Sequence, residues 1–377
     1  QVYSKHQAEK KMFLKNIQNY FKVLWHCFIR HLWPACHLLK RIKEVCLLPI
    51  SATFQTNKYT SGAHEIHVYE GEEADLHQEK VDCQKNPDHK NFIPIDQFTM
   101  LHLPEGHREQ DLYELIRAVA DIAVKVDVKM VSPNRPRLWP NKKHNYPFYD
   151  FRERTVPRSG TGEVDKVIKF IRGKGFDHNG VKLQRDTASC PCEQCRDSDI
   201  PSTEWWEIHV DTAAHVVYDE LEARHTSCRL FYNTKQSPKV TFDKCSIHYS
   251  NVEGDWCVLS HVTCDRKVGS KMHRKFLRWV QLRDKVYNAN RSWGNLAFIV
   301  SHPHGCPKQV SIGSWTDNKE VSSYKEYILS TLTYTTGTCQ GSSGATIHCV
   351  GHFWDHLHSG TYHPGPNYSG TGLELRI

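Results

Sequence analysis

The sequence contains no apolar run of the about 18 residues that a membrane-spanning helix requires, so no transmembrane span is expected. It has no internal repeat and no low-complexity tract, and a repeat architecture is therefore not expected. Its basic residues are not gathered into a stripe with interleaved aromatics, so no nucleic-acid partner is expected despite a net charge of +7. No signal peptide is visible in the sequence, and the compartment stays undetermined.

What is present is the composition of a soluble globular protein. The chain has 377 residues, of which 39% are hydrophobic and 24% charged, which is enough for a sizeable core. The 14 cysteines do not have the spacing of a small disulfide scaffold. The 25 histidines make the protein much more cationic below about pH 6.5, where imidazole takes up a proton.

The N-terminal part differs in character from the rest. Residues 1–50 are basic and aromatic, and Phe13, Ile17 and Phe21 recur at helical spacing. We predict a basic helical region that packs on another part of the protein, with association with a membrane surface as the alternative. Residues 51–108 are polar and rich in turn residues, which indicates a linker or an irregular subdomain.

From residue 109 onward the pattern becomes that of a folded domain, which we place at 109–377. Apolar spacing predicts a helix over 109–122. Val124, Val126 and Val128 then alternate with polar residues, as in a half-buried strand. Many short alternating runs with turn residues between them follow to the C-terminus, which predicts a mostly β fold of barrel or sandwich type.

Three short motifs in this domain contain the components of a serine triad. His215 ends Thr-Ala-Ala-His, Asp255 leads Asp-Trp-Cys-Val-Leu, and Ser343 lies in the run Cys-Gln-Gly-Ser-Ser-Gly. A serine hydroxyl becomes a good nucleophile when an imidazole takes its proton, and the imidazole needs a carboxylate to fix its tautomer. The chain order His, Asp, Ser is one of the few in which such triads occur.

These motifs resemble those of the chymotrypsin-fold, trypsin-like serine proteases of clan PA, over roughly residues 120–377. The resemblance implies two six-stranded antiparallel β-barrels, with barrels at about 123–377, and a protein or peptide substrate. It makes His215 the general base, Asp255 the orienting acid and Ser343 the nucleophile, and it requires no cofactor for catalysis. Asp265 is the rival acid, but it lies after the strand rather than before it. The amides of Gly341 and Ser343 would form the oxyanion hole.

Two departures from the trypsin branch bear on activation and specificity. Ser342 stands where that branch has the acid that pairs with a new N-terminus, so this activation is not expected. Gly337 stands where it has an acid for basic P1 residues, so a basic P1 is not expected. The alternative to a protease is an inactive trypsin-like domain that serves as a protein-binding module.

A second resemblance concerns the P1 pocket. His358-Ser359-Gly360 is similar to the His-x-Gly of glutamyl endopeptidases and picornaviral proteases, in which the imidazole reads a P1 Glu or Gln. The resemblance therefore gives His358 and Gly360 as substrate-binding residues and predicts a P1 Glu or Gln, with Thr335, Thr336 or Thr338 helping. Gly337, at the position of the trypsin acid, is a further predicted substrate-binding residue. The alternative is that His358 belongs to a histidine-rich surface cluster.

Three cysteines that are close together in the sequence indicate a metal site. An insertion at about 165–204 contains Cys190, Cys192 and Cys195, and three thiols so close together can bind a structural Zn²⁺. The fourth ligand is left open between Cys228, His209 and His225, and disulfides or free thiols are the alternative. The family resemblance further gives Cys306 as a candidate disulfide partner of Cys339, and it gives His302 and His304 as turn residues rather than ligands.

Overall fold

The computed structural model describes residues 62–69, 83–140, 144–289, 292–325, 327–362 and 364–375. The predicted basic helical region at 1–50 lies outside these residues. None of the helices in the described part of the chain is long and apolar enough to cross a membrane.

One antiparallel sheet is built mainly from the first half of the domain. Its central order is β10-β9-β4-β5-β8-β12-β11, with β2 and β6 added to β5 and β7 added to β6. The ten strands are β2 (His67–Val68), β4 (Ala123–Met130), β5 (Thr155–Ile171), β6 (Lys174–Phe176), β7 (Lys182–Gln184), β8 (Glu204–Thr212), β9 (Thr226–Leu230), β10 (Val240–Asp243), β11 (Ser246–Asn251) and β12 (Trp256–Thr263).

The second antiparallel sheet contains the C-terminal strands. Its central order is β1-β18-β19-β15-β14-β13-β16, with β3 on β14 and with β20 joining β15 to β17. The ten strands are β1 (Gly62–His64), β3 (Ile93–Pro94), β13 (Leu296–Ser301), β14 (Gln309–Ser323), β15 (Tyr327–Tyr334), β16 (Ile347–Cys349), β17 (Trp354–Asp355), β18 (His358–Tyr362), β19 (Asn367–Ser369) and β20 (Gly372–Leu375).

The mostly β prediction is therefore confirmed. Each sheet has ten strands rather than the six that the resemblance implies for a barrel, because short strands such as β2 and β3 add to the edges of the longer ones. Both sheets contribute to one large buried cluster, which includes Val126 and Val210 of the first sheet and Phe298 of the second. The alternating strand at Val124 to Val128 is β4, in which Ala123, Val124 and Val126 are buried, as is Lys125 between them.

Helices cover this core. They are α1 (Gln110–Ile122), α2 (Glu193–Arg196), α3 (Glu220–Arg224) and α4 (Arg266–Tyr287). The first agrees with the predicted helix at 109–122. The longest, α4, was missed because the chain after His215 was interpreted as β-rich throughout. Its signals are local: Asp265 caps it by accepting the N–H groups of Lys267 and Val268 at 2.8 and 3.1 Å. Its buried face follows helical spacing at Met272, Phe276 and Trp279.

The described part of the segment 51–108 contains short elements that pack on the domain. β1 pairs with β18, β2 with β5, and β3 with β14. Ile95, Phe98 and Leu103 are at most 3% exposed and join the main core. This segment therefore reaches both sheets.

A buried ion network supports the loop that follows β8. Glu222 accepts from Arg135 Nε and from an Arg158 guanidinium nitrogen, each at 2.7 Å, and all three side chains are fully buried. Burial alone would raise the pKa of Glu222, but the two guanidinium groups hold it below the usual value. Arg135 also donates to the carbonyl of His215 at 3.1 Å, so the network holds the backbone at that residue.

We expect Glu222→Gln to destabilise the fold by about 3 to 5 kcal/mol, because it leaves two buried guanidinium charges without a counter-charge. The measurement is the free energy of unfolding from urea titration. Glu220→Gln is the matched control in the same helix. Its ion-pair partner Arg224 is exposed, and the N–H of Ile247, which donates to Glu220 at 2.7 Å, can donate to a glutamine oxygen as well, so a change of at most about 0.5 kcal/mol is expected. Equal effects of the two variants would contradict this account.

Candidate active site

His215 and Asp255 are brought together by the pairing of two strands. His215 follows the end of β8 and Asp255 precedes β12, and these strands are antiparallel with Thr212 opposite Cys257. The imidazole Nδ1 lies 2.7 Å from one oxygen of Asp255 and 2.9 Å from the other. Both residues are buried. The backbone N–H of His215 also donates to the carboxylate, at 3.0 Å, so the ring and its loop are fixed by the same group.

The electrostatics around Asp255 favour its ionised form. Burial alone would raise the pKa of this carboxyl group, but the charge and hydrogen bond of His215 hold it below the usual value. Ser359 Oγ donates a further hydrogen bond to the same carboxylate. No role was predicted for Ser359, although it lies inside the His358-Ser359-Gly360 motif.

The predicted nucleophile lies on the other side of the imidazole. His215 Nε2 is 2.8 Å from Ser343 Oγ, and both side chains are fully buried. The loop is fixed by Thr161, whose N–H donates to the Ser343 carbonyl and whose hydroxyl donates to the Gly341 carbonyl, each at 2.8 Å. Gly341 has φ +93°, and a Cβ there would lie 2.5 Å from the His302 carbonyl oxygen. Only glycine fits this turn.

The two amides that were predicted to form the oxyanion hole converge on one oxygen atom. Gly341 N donates to the Glu65 carbonyl oxygen at 2.7 Å and Ser343 N donates to it at 3.2 Å. The N–H of Glu65 in turn donates to Ser343 Oγ at 3.1 Å. Paired amides on a carbonyl oxygen next to a serine hydroxyl are the arrangement that stabilises a developing oxyanion.

The Glu65 side chain enters a polar pocket, here called the Glu65 pocket. His358 Nε2 lies 2.7 Å from a carboxylate oxygen of Glu65, and the Tyr334 hydroxyl hydrogen-bonds the other ring nitrogen. His358 is fully buried, so it is not part of a surface cluster. Because a carboxylate only accepts hydrogen bonds, Nε2 is the donor. The pocket comprises Lys85, Tyr334, Thr338, His358, Thr361 and Asn367.

Lys85 adds a positive charge to this pocket. Its ammonium group forms an ion pair with Glu65 and donates to the hydroxyls of Thr338 and Thr361 at 3.0 and 2.6 Å and to Asn367 Oδ1 at 3.2 Å. Burial alone would raise the pKa of Glu65, but His358 and Lys85 lower it to about 2. Sequence reasoning missed Lys85, because no local motif marks it.

The other residues predicted to bind substrate lie around the same cleft. Thr338 contacts Lys85 as described, and Gly360 lies in β18 opposite His64 of β1. A Cβ on Gly360 would be 2.1 Å from the carbonyl oxygen of Ala63, so glycine allows the close approach of β1. Gly337 lies further out, where a Cβ would make ordinary contacts with Phe92 and Asn91.

Ser342 and Asp265, the rivals of Ser343 and Asp255, make their contacts elsewhere in the structure. Ser342 Oγ accepts the N–H of Cys339 and lies 3.2 Å from Ser301 Oγ, directed away from His215. Asp265 caps α4. The structure thus brings together His215, Asp255 and Ser343, and neither rival is among them.

The three cysteines of the insertion meet a fourth. The Sγ atoms of Cys190, Cys192, Cys195 and Cys264 all lie within 4.8 Å of one another. The candidates named for the fourth position, Cys228, His209 and His225, are not in this cluster. The expectation for the fourth position was wrong, because the turn from β12 into α4 places Cys264 beside the insertion although it is 72 positions from Cys192 along the chain.

A second cluster was not predicted. Cys83, His89, His304 and Cys339 offer ligand atoms that all lie within 4.8 Å of one another. The neighbour of Cys339 is therefore Cys83, with 3.5 Å between the sulfurs, and not the expected Cys306. His304 lies in a turn, as expected, with φ +53°, but its imidazole also belongs to this cluster, which the expectation of a mere turn residue did not foresee.

Comparison with known proteins finds no protein-family model and no curated protein that matches. Solved structures do match. The active form of the Rv3671c protease from M. tuberculosis is 12% identical, with 71% of this chain and 82% of that chain covered at a TM-score of 0.34. Deg5 is 11% identical, with 71% and 91% covered at 0.34. The HtrA-type protease AlgW, solved with a decapeptide, is 13% identical, with 70% and 63% covered at 0.30.

The chain is thus similar to solved serine proteases of the trypsin-like, HtrA and Deg kind. These similarities are distant, and we base the function on the residues of the site.

Proposed function

We propose that the protein is a serine endopeptidase of the double-barrel, trypsin-like fold that cleaves after acidic residues. The observation that carries the proposal is the continuous hydrogen-bonded row from Asp255 through His215 to Ser343 Oγ, with contacts of 2.7 and 2.8 Å. Two backbone amides point to the position where an oxyanion would form, beside the same hydroxyl. Nucleophile, base, orienting acid and oxyanion donors are the complete set that acyl transfer by serine requires.

In the proposed mechanism His215 Nε2 takes the Ser343 proton as the oxygen attacks the scissile carbonyl carbon. Asp255 keeps the proton of the neutral ring on Nδ1 and stabilises the imidazolium that forms. The amides of Gly341 and Ser343 hold the oxyanion. His215 then protonates the leaving amine, and a water molecule, activated by the same base, hydrolyses the acyl-enzyme. No step needs a metal ion.

The P1 preference follows from the Glu65 pocket. His358 supports either Glu or Gln, because its Nε2–H can donate to a carboxylate or to an amide oxygen. Lys85 adds a charge that favours Glu over Gln. Neither residue suits a basic side chain, because the pocket already contains a cation.

We expect Lys85→Met to lower kcat/KM for a P1 Glu peptide by about 10-fold, while kcat/KM for the matching Gln peptide changes little. The reason is the loss of one charge contact that only the Glu substrate makes. The expected loss is no larger because Lys85 is 29% exposed, so that water already weakens this contact. Lys90→Met is the matched control, since Lys90 is 80% exposed and pairs only with exposed Asp88 among the described residues. Equal losses for the two peptides would show that Lys85 does not read the P1 charge.

The proposal is tested by labelling with a fluorophosphonate probe, applied to the full chain and to its Glu65→Ala variant. Labelling at Ser343, absent from the Ser343→Ala chain, is the expected result. A well-folded protein that is unlabelled in both forms and cleaves no P1 Glu peptide would instead be a protein-binding module.

A further inference from the structure

The segment 62–69 crosses the candidate active site in an extended conformation. Before Glu65, β1 is antiparallel to β18, with His64 opposite Gly360. After Glu65, β2 is antiparallel to β5, with His67 opposite Ser159. The chain therefore pairs with one sheet on each side of the site, and Glu65 lies at the crossing. A peptide bound for cleavage between two sheets would be held by main-chain pairing in this way.

At the crossing, Glu65 makes the contacts of a residue about to be cleaved. Its carbonyl oxygen accepts from Gly341 N and Ser343 N, and Ser343 Oγ is the hydroxyl next to it. Its carboxylate is neutralised by His358 and Lys85 inside the Glu65 pocket. The carbonyl of Glu65 therefore occupies the two oxyanion donors, while its side chain occupies the Glu65 pocket.

The neighbouring side chains fit as well. The ring of His64 lies 4.4 Å from that of His215 and 5.1 Å from that of Trp139, so it packs on the imidazole. Ile66 is 7% exposed and His67 is fully buried. Glu65, Ile66 and His67 are thus three consecutive buried residues of the segment.

We infer that residues 62–69 are the protein's own substrate and that Ser343 cleaves the Glu65–Ile66 bond within the same molecule. The inference rests on the proposed function. Ser343 Oγ bonds to the Glu65 carbonyl carbon and its proton passes to His215. The C–N bond to Ile66 breaks, and His215 gives that proton to the Ile66 amine. One water then hydrolyses the ester, which releases the carboxylate of Glu65 and restores Ser343.

The same geometry makes the uncut chain self-inhibited. While Glu65 occupies its pocket and its carbonyl occupies the two amides, no other peptide can bind there. Cleavage separates Glu65 from Ile66, so the part ending at Glu65 can leave and the cleft opens. Lys85 follows the cut in sequence and stays with the protease, as does the rest of the Glu65 pocket.

The test is to incubate the purified full chain and to follow the appearance of a fragment beginning at Ile66 by intact mass and N-terminal sequencing. The fragment should form with a rate constant independent of protein concentration, as an intramolecular reaction requires. It should be absent from Ser343→Ala and from Glu65→Ala. Glu72→Ala and Glu73→Ala, at two nearby acids of the same chain, are matched controls and should be cut as the wild type is.

The outcomes separate this inference from the proposed function. If the wild-type chain stays intact but it or Glu65→Ala hydrolyses an added P1 Glu peptide, the protein is a protease and the inference is wrong. A fragment whose formation rate rises with concentration would also overturn it. If neither chain is cut and neither hydrolyses the peptide, the proposed function itself fails. Activity on the added peptide that rises in step with the Ile66 fragment would support self-inhibition.

A different observation carries a second proposal, which concerns the two four-residue clusters. We propose that each holds a structural Zn²⁺. Ligands at zinc distances of about 2.3 Å for sulfur and 2.0 Å for nitrogen lie about 3.3 to 3.8 Å apart in a tetrahedron. Cys192 and Cys264 have their sulfurs 3.7 Å apart. Cys339 Sγ lies 3.5 Å from Cys83 Sγ and 3.4 Å from His89 Nε2.

The donor sets also suit zinc. One cluster has four thiols and the other has two thiols and two imidazoles, the commonest sets of closed structural sites. In the second cluster every residue is at most 9% exposed. Its two histidines have φ of +48° and +53°, a backbone region that non-glycine residues seldom adopt without a reason. Zinc there would fasten the chain that carries Lys85 to the loop that carries Gly341.

Metal analysis of the full-length Ser343→Ala chain tests this proposal, because that chain cannot cut itself. Two zinc ions per chain are expected, with one lost in Cys264→Ser and the other in Cys83→Ser. Cys228→Ser, at a buried cysteine outside both clusters, should keep two. The absence of zinc, or a Cys192–Cys264 or Cys83–Cys339 disulfide in the unreduced protein, would overturn the corresponding site. Circular dichroism of each variant establishes that it is folded.

Discussion

Replacing Ser343 by alanine will lower kcat for a P1 Glu peptide by about 10⁴ to 10⁶-fold, the largest effect we expect from any single substitution. The hydroxyl supplies the bond to the scissile carbon, and without it only substrate binding and the oxyanion donors remain. The fold should persist, because Ser343 contributes its backbone to the loop and its Oγ contacts only His215 and Glu65 among the described residues. Steady-state kinetics with a fluorogenic peptide measure the loss.

Ser342→Ala is the matched control for this prediction. Ser342 is equally buried and adjacent in sequence, but its hydroxyl contacts Cys339 and Ser301. It should keep kcat within about 10-fold and lose some stability from one unmet hydrogen bond. Activity that survives Ser343→Ala but disappears in Ser342→Ala would reverse the assignment of the nucleophile.

Replacing Asp255 by asparagine will lower kcat by about 10⁴-fold with little change in KM. The carboxylate accepts the Nδ1 proton of His215 and so leaves Nε2 free to take the proton of Ser343. An amide group can donate its own hydrogen to Nδ1 instead, which holds the ring in the wrong tautomer, and it does not stabilise the imidazolium. The measurement is kcat and KM for the same peptide near neutral pH, with Asp255→Asn compared in a Glu65→Ala chain so that occupation of the cleft by Glu65 does not enter the comparison.

Asp265→Asn is the matched control for Asp255. Asp265 was the rival acid in the sequence, and in the structure it caps α4. Asparagine caps helices about as well as aspartate does, so both stability and kcat should stay close to wild type. A loss of kcat in Asp265→Asn that equals the loss in Asp255→Asn would contradict the arrangement of the site.

The short motifs predicted the residues that meet at the site because each motif records a local requirement. Gly341 is needed for a turn at φ +93° that carries Ser343. His215 follows β8 and Asp255 precedes β12, so the antiparallel pairing of these strands, with Thr212 opposite Cys257, places both residues at the same end of the pair. The resemblance to glutamyl endopeptidases pointed to His358, which lies 2.7 Å from the Glu65 carboxylate.

Other residues of the site are not part of any recognisable sequence motif. Lys85, Glu65 and Cys264 have ordinary neighbours in the chain, and each acquires its contacts from a residue far away along it. Lys85 and Thr338 are 253 positions apart, and Cys192 and Cys264 are 72 apart. Periodicity and motif spacing describe short windows, so they cannot report such pairs.

The sequence by itself determined a mostly β domain that begins with a helix, and it singled out His215, Asp255 and Ser343 as candidates, which the fold brings together. These depend on strand alternation, turn glycines and short motifs, all of which act over a few residues. Only the tertiary structure decided that the segment 62–69 lies at the site, that Lys85 pairs with the Glu65 carboxylate, and that Cys264 joins the three cysteines of the insertion. These depend on how two sheets and α4 pack together, because packing is what places residues distant in sequence within reach of one another.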